Sequence, residues 1–436
     1  MARSDEFNIV IISDLHLSEG RDPKTRKFNR NEDFFFDEEF DRFLNFLETD
    51  SEPRGRKWHL IIAGDMVDFL QITRKPEKHE FKVRRSEEDY GLGTSPEKTV
   101  WKMKVMMNGH WIFFRALGRF ISSGNKFTIV TGNHDIEWTV PEVQKAFRDG
   151  MKKEYLPDGV EDPDVTVLNG IEFCPWFYYE PGLIWVEHGH QYDGMNSYDY
   201  FLFPYLPNSN ELMLPGGSFF VRYLFNKIEQ KDPFADNIKS VSSYIKKYGL
   251  QLLFSYGVME HVQYFWKIIQ KISKFESDEL KYLNQKNQEG IEAEAARFGI
   301  EIEKLQAIKR EWVPCFLYNQ GMWKNIWSFI TYRVRERQWM KHVSTIRKEL
   351  EVRYIVMGHT HEVDLHLLNP DKRAEYSNSG TWTKIFSSDP RERLLQEEHE
   401  AVFIQIVKDE GNKLEVMKWR DDLGVGERVK LFEKDV

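Results

Sequence analysis

Cysteine is nearly absent from this chain, with only Cys174 and Cys315 among 436 residues. That excludes a disulfide framework and a spaced thiolate metal site, and each cysteine reads as a small buried hydrophobe. Long apolar runs are lacking too. The mean hydropathy is -0.57, which argues against an integral membrane protein. The apolar run in MARSDEFNIVIISDLHL breaks at Ser13-Asp14, too early for a secretory h-region with its cleavage site or for a spanning segment. Residence in the cytoplasm is the expectation. Nor is there an excess of basic residues: 61 Lys and Arg face 70 Asp and Glu, a net charge of -9. A broad nucleic-acid footprint is therefore not expected, although a local basic patch survives that objection.

What is present is ordinary globular material, 41% hydrophobic and 30% charged, long enough for two to three structural units. Five short runs share one design: Phe7–Ser13, His59–Ala63, Phe127–Thr131, Leu183–Glu187 and Arg353–Met357. Each is rich in β-branched or aromatic residues, as in strands buried on both faces, and each ends at once in polar residues. The continuations are Asp14-Leu-His16, Gly64-Asp65-Met-Val-Asp68, Gly132-Asn133-His134-Asp135, His188-Gly-His190 and Gly358-His359-Thr-His361. Helical patterns lie between the early runs. Phe36, Phe40, Phe43 or Leu44, and Leu47 share one face of a stretch from Asp33 to Leu47, with Asn31 read equally as its cap or as a substrate contact. A second pattern covers Trp111–Ile121.

Strands alternating with helices predict an α/β core. In such a core ligands gather at the carboxyl ends of the strands, so all five clusters are expected on one rim. Asp14 and His16 are two residues apart, as are His359 and His361, and each pair projects to one side of extended backbone. Gly64, Gly132, Gly189 and Gly358 permit sharp exits and close backbone approach. An oxygen and nitrogen donor set without cysteine suits manganese, iron, zinc or a similar divalent ion. Seven donors exceed the needs of one metal. Two ions about 3.5 to 4 Å apart, sharing a carboxylate, are the known arrangement for phosphoryl displacement.

The ordered motifs D-x-H, G-D-x-x-D, G-N-H-D, an isolated histidine and G-H-x-H resemble those of the calcineurin-like metallophosphoesterase superfamily over roughly the first 190 and last 90 residues. The resemblance implies a two-sheet metallophosphoesterase sandwich flanked by helices. It implies two divalent metal ions, manganese first, with iron or zinc as alternatives. One would be held by Asp14, His16, Asp65 and His361, the other by Asp65, Asn133, His188 and His359. The implied reaction is in-line attack of a metal-bridging hydroxide on a phosphate ester or diphosphate. His134 would be the catalytic group, either stabilising charge on the phosphoryl group or protonating the leaving oxygen, with Asp135 orienting its ring. Asp68 is read as a buttress of its loop and is left out of the metal set.

Three other histidines carry weaker readings: His190 as a substrate contact or a structural group equally, His366 as part of an outgoing strand, and His79 as a solvated loop residue. Tyr376–Trp382 precedes alternating strands such as Ala401–Ile406, which read as second-sheet material.

Between the fourth and fifth motifs the chain is unmatched. Residues 1–194 and 346–436 are read as the catalytic domain and 195–345 as a helical, aromatic-rich cap insertion, with Ile291, Ala295, Phe298, Ile302 and Leu305 in helical period. The aromatics of Tyr198–Tyr205 and Leu252–Lys267 either make the cap's own core or line an apolar groove that meets substrate or a membrane surface. Arg333, Arg335 and Arg337 are read as a solvated helix face, with a diphosphate or anionic headgroup as the alternative. The "SDLHL" and "GHTH" segments resemble bacterial UDP-2,3-diacylglucosamine pyrophosphohydrolases, from which the chain departs in having His134 where arginine is expected and in its larger insertion. A phosphorylated small-molecule or lipid-linked substrate follows, with peripheral membrane contact through the cap as a further expectation. The alternatives are a phosphodiesterase or nuclease, and a non-catalytic metal-binding scaffold.

Overall fold

The computed structural model describes residues 7–49, 55–77, 80–220, 222, 275–315, 336–369, 374–384, 400–408, 411–420 and 427–431. The strands are β1 (Phe7–Ile12), β2 (Lys57–Ala63), β3 (Lys126–Val130), β4 (Ile171–Cys174), β5 (Phe177–Glu180), β6 (Ile184–Glu187), β7 (Tyr354–Met357), β8 (Val363–Asn369), β9 (Ala374–Ser379), β10 (Ala401–Ile406), β11 (Leu414–Arg420) and β12 (Glu427–Lys430). The first helices are α1 (Asp37–Thr49), α2 (Arg85–Tyr90), α3 (Pro96–Gly109), α4 (Trp111–Ser122), α5 (Pro141–Gly150) and α6 (Pro163–Gly170). They are followed by α7 (Gly216–Phe220), α8 (Ser277–Phe298), α9 (Ile302–Lys309) and α10 (Glu336–Leu350).

Two mixed sheets result, one ordered β12-β11-β10-β1-β2-β3-β4 and the other β5-β6-β7-β9-β8. The neighbours β1, β2, β3 and β4 pair in parallel, as do β6, β7 and β9. Alternation along each strand builds two cores. Ile9, Ile11, Ile61, Val130, Ile184, Val186, Tyr354 and Val356 fill the space between the sheets. Val10, Ile12, Leu60, Ile62, Phe127, Ile129, Trp185 and Ile355 face the flanking helices. These strands are buried on both faces, which is why their sequences read as unbroken apolar runs.

This is the α/β sandwich with flanking helices that the sequence predicts, with two differences. The strand Ala401–Ile406 belongs to the first sheet, paired antiparallel with β1 through Ile9–Ile406 and Ile11–Ile404, and not to the second. The polar alternation of a surface strand is missing from it because all six residues are buried. The first helix begins at Asp37, not near Asp33, with three acids in its first turn to complement the helix dipole. Asn31 therefore does not cap it; the Asn31 carbonyl accepts a bond from Ser18 Oγ.

On α1, Phe40, Phe43, Leu44 and Leu47 are buried, with Phe40 stacked on Phe113 of α4 at 3.9 Å between ring centroids. The periodic stretch from Ile291 to Leu305 is two helices, because Gly299 ends α8 in a left-handed conformation at φ 66°. Ile291, Ala295, Leu305 and Ile308 join the larger core, so the described part of 195–345 packs on the sandwich. Leu252–Lys267, Arg333 and Arg335 lie outside the described residues, as does the side chain of Arg337. Among the described residues no helix is long and apolar enough to cross a membrane.

One buried ionic group braces the first functional loop. His110, fully buried at the α3–α4 junction, has Nδ1 3.0 Å from Asp37 Oδ1 and Nε2 3.2 Å from Glu32 Oε2. Glu32 in turn accepts bonds from the backbone nitrogens of Ser18 and Gly20, just beyond His16. Burial opposes charge on the imidazole, but Asp37 and Glu32 outweigh it and raise its pKa to about 10. Because the folded value lies above the unfolded one, near 6.5, the stabilisation is complete below about pH 6.5 and is lost as pH rises toward 10. His110→Ala is expected to cost about 3–5 kcal/mol, the scale for stranding a buried charge. Chemical denaturation at pH 6 and pH 10 checks this; the gap between wild type and variant should narrow at the higher pH.

Candidate metal centre

Each motif sits where a strand leaves its sheet. Asp14 and His16 follow β1, Asp65 follows β2, Asn133 and His134 follow β3, His188 follows β6, and His359 and His361 follow β7. Three loops thus come from one sheet and two from the other, and they converge at the carboxyl end of the sandwich. The backbone there is strained: of the nine non-glycine residues with positive φ among those described, five are Asp14, His16, Asp65, His359 and His361. Such conformations persist only where surrounding structure fixes them, and they concentrate at functional sites.

Close approach explains two of the glycines. A Cβ on Gly64, which has φ 87°, would lie 2.4 Å from the His188 ring, and one on Gly132 would lie 2.1 Å from Asp65 Oδ1. Neighbouring motifs therefore interlock through positions that admit no side chain.

The donor atoms form two groups. In the first, His361 Nε2 lies 3.2 Å from Asp14 Oδ1 and 3.2 Å from His16 Nε2. In the second, His188 Nε2 lies 3.0 Å from Asp65 Oδ2 and 3.1 Å from Asn133 Oδ1. Asp65 Oδ2 is also 3.9 Å from His16 Nε2, which places this carboxylate between the groups. Sets able to hold an ion are Asp14, His16 and His361; Asp65, His188 and His359; and His16, Asp65 and His134. Asp14 Oδ1 is buried and, apart from the His361 ring nitrogen at 3.2 Å, has no hydrogen-bond partner among the described residues. Two imidazole nitrogens facing each other beside that carboxylate oxygen form a donor set without an acceptor, the chemistry a divalent cation completes.

Tautomers are set from behind. His188 Nδ1 lies 2.9 Å from the Ala63 carbonyl, so this nitrogen donates and Nε2 remains to bind. His359 Nε2 lies 3.1 Å from Asp193 Oδ2, leaving Nδ1 for the centre. Burial works against ionisation of Asp14 and Asp65, yet the histidine fields, chiefly from His188, hold both carboxyls below their ordinary value.

His134 stands beside these groups, its Nδ1 2.6 Å from Asp68 Oδ2 and its backbone nitrogen 2.8 Å from Asp65 Oδ1. The orienting carboxylate is thus Asp68, not Asp135. Asp135 accepts instead from the backbone nitrogens of Met66 and Gly132 and from Trp138 Nε1, locking the β2 and β3 loops together. Asp68 also buttresses its own loop, as the sequence reading has it, through Oδ1 and the nitrogens of Leu70 and Gln71.

His190 is buried, and burial followed by the charge of His188 pushes its pKa well below the ordinary value; it packs against Phe201 and Tyr198. It is enclosed within the fold. His366 lies on β8, 2.6 Å from Asp364, and His79 is outside the described residues.

Three supporting residues went unread in the sequence. Asp193 lies five residues beyond His188, a spacing with no local signal. Asn378 donates to the Gly358 carbonyl at 2.6 Å, and Thr381 Oγ1 to the Asp14 carbonyl at 2.6 Å. The Asn378-Ser379-Gly380-Thr381 cluster at the carboxyl end of β9 was the available cue, since turn chemistry at a strand's carboxyl end marks this rim.

Residues 7–255 match the calcineurin-like phosphoesterase family model, and the chain belongs to that family. The matched span includes every motif up to His188; His359 and His361 lie beyond it and join the site through the fold. No curated protein matches the chain. Among solved structures, it is similar to wild-type Vps29 complexed with zinc from Entamoeba histolytica, at 20% identity over 21% of this chain, with a TM-score of 0.15. The match spans 46% of that protein's length.

Gly132→Ala tests the interlock. The added methyl group must displace the Asp65 carboxylate, so divalent-metal affinity is expected to fall about 10–100-fold, the usual cost of disturbing a ligand's support. Titration calorimetry with manganese or zinc, alongside circular dichroism to establish that the fold is kept, reads the effect.

Proposed function

We propose that the protein is a dinuclear metal-dependent phosphoesterase that hydrolyses a phosphate ester or diphosphate. The observation carrying this reading is the position of Asp65 between two donor groups, with His134 beside it. Asp14, His16, Asp65 and His361 would hold one ion, and Asp65, Asn133, His188 and His359 the other. When bound, two such ions neutralise phosphoryl oxygens and acidify water.

The chain's own residues supply the rest. Asn133 contributes a neutral oxygen, which keeps the accumulated negative charge low. Asp193 and the Ala63 carbonyl fix which nitrogen of His359 and His188 is offered. His134, with Nδ1 committed to Asp68, presents a proton at Nε2 to the leaving oxygen. Asp68 is a positioning residue that also favours the imidazolium form.

Residues 195–345 act as a cap, and the substrate is a lipid-linked or nucleotide diphosphate. Supporting the cap is Tyr198, whose hydroxyl donates to the Asn133 carbonyl at 3.0 Å and so ties the start of this segment to the site. A hydrolysis panel of monoesters, diesters, nucleotide diphosphates and acylated diphosphates, with the phosphorylated products separated and identified, tests the assignment on manganese-loaded protein. Diphosphate turnover exceeding that of esters and diesters is expected, and hydrolysis of none of them would overturn the enzyme reading.

Asp65→Asn is expected to lose both metals and hydrolysis while remaining folded; metal analysis finding two ions per chain with near-normal turnover would remove Asp65 from the bridging position. His134→Ala should retain metal and lower turnover by roughly 10²–10⁴, with a smaller loss on p-nitrophenyl esters, whose leaving group needs no proton. Equal losses on activated and unactivated substrates would leave His134 with charge stabilisation alone.

A further inference from the structure

The loop after β1, the adjoining ends of α3 and α4, and Arg74 enclose a cavity of about 500 Å³. It shares no residue with the candidate metal centre. Four of its walls are arginines, Arg21, Arg26, Arg74 and Arg115, grouped around Trp111, with Glu154 the one carboxylate among the lining residues. Two of the arginines are already paired. Arg21 Nη2 lies 2.8 Å from Glu38, and Arg74 Nη2 lies 3.1 Å from Asp22.

Arg26 and Arg115 differ. Neither has a carboxylate at ion-pair distance among the described residues, and their guanidinium carbons lie 5.9 and 4.9 Å from the Trp111 ring centroid. Arg26 is presented by a built turn: Asp22 N bonds the Lys27 carbonyl at 2.8 Å, Arg26 N bonds the Asp22 carbonyl at 2.9 Å, and Asp22 Oδ1 accepts from Thr25 N at 2.8 Å. The turn holds Arg26 at φ 60°, a strained conformation for a residue with a side chain.

With Arg21 and Arg74 paired, Arg26 and Arg115 leave two guanidiniums without a carboxylate at ion-pair distance at the edge of one concavity, an arrangement that an entering anion relieves, and it occurs in a chain of net charge -9. Guanidinium forks match phosphate oxygens in pairs. The volume falls within the usual range for small-ligand sites, about 300–1,000 Å³. We propose that this pocket is a second binding site, outside the metal centre, for a small phosphate-bearing anion. Its walls continue the metal-site loops: the chain runs from His16 to Arg21 and from Asp68 to Arg74. Glu19 joins the two by accepting from the nitrogens of Thr73 and Arg74, each at 2.7 Å.

The test is calorimetric titration of the metal-loaded protein with inorganic pyrophosphate. It is repeated on the Arg26→Ala, Arg115→Ala double variant and on Asp65→Asn, with a parallel sedimentation assay using phosphatidic acid vesicles. Both arginines are exposed, so the double variant is expected to fold, which circular dichroism checks. One saturable site should survive Asp65→Asn and weaken at least about tenfold in the double variant, the scale of losing charge-assisted hydrogen bonds. Vesicle binding without pyrophosphate binding, again lost in the double variant, would support the site and place the phosphate on a lipid headgroup. Absence of saturable binding in both arms, or binding lost with Asp65→Asn and kept in the double variant, would overturn the proposal.

Discussion

A buried carboxylate must be fully partnered, and the site is arranged around that requirement at Asp65. Its side chain is almost completely enclosed, and an isolated anion there would cost several kcal/mol. One oxygen is met by the His134 backbone nitrogen and the other by the His188 imidazole. Those partners come from β3 and β6, which belong to different sheets. Satisfying one side chain therefore requires both sheets to be in place and in register.

The same requirement accounts for the rigidity behind the site. Ser13 and Ser379 share a hydrogen bond at 2.7 Å across the two sheets, and Thr381 holds the Asp14 carbonyl. Asp135 binds the β2 loop to the β3 loop, while Glu32, itself held by His110, pins the chain beyond His16. Burial, and after it the charge of Asp65, raises the Asp135 pKa to about 7. Each support spends a buried polar group to fix a ligand loop, the arrangement expected where donor positions must hold to a fraction of an ångström.

Family membership and geometry contribute different things. The matched span, residues 7–255, carries Asp14, His16, Asp65, Asn133 and His188. His359 and His361 arrive because β7 pairs in parallel with β6 and delivers its carboxyl end beside that of β6. The zinc-bound Vps29 likeness is too slight to support either point. What joins the later motif to the earlier ones is the sheet.

The sequence by itself determined the strands that carry the site and the polar clusters that follow them. Runs buried on both faces are apolar without alternation, so β1, β2, β3, β6 and β7 could be read within two residues of their ends, and the polar residues clustered after them needed no tertiary information. Only the tertiary structure decided which atoms support which. Asp68 rather than Asp135 orients His134, Asp193 fixes His359, and Ala401–Ile406 joins the first sheet. The Arg26–Arg115 pocket likewise arises from a turn and a helix far apart in the chain. The reason is physical: burial and periodicity are local properties written residue by residue. A hydrogen-bond partner for a buried charge depends on which loops two packed sheets bring within 3 Å, and short polar segments do not encode that distance.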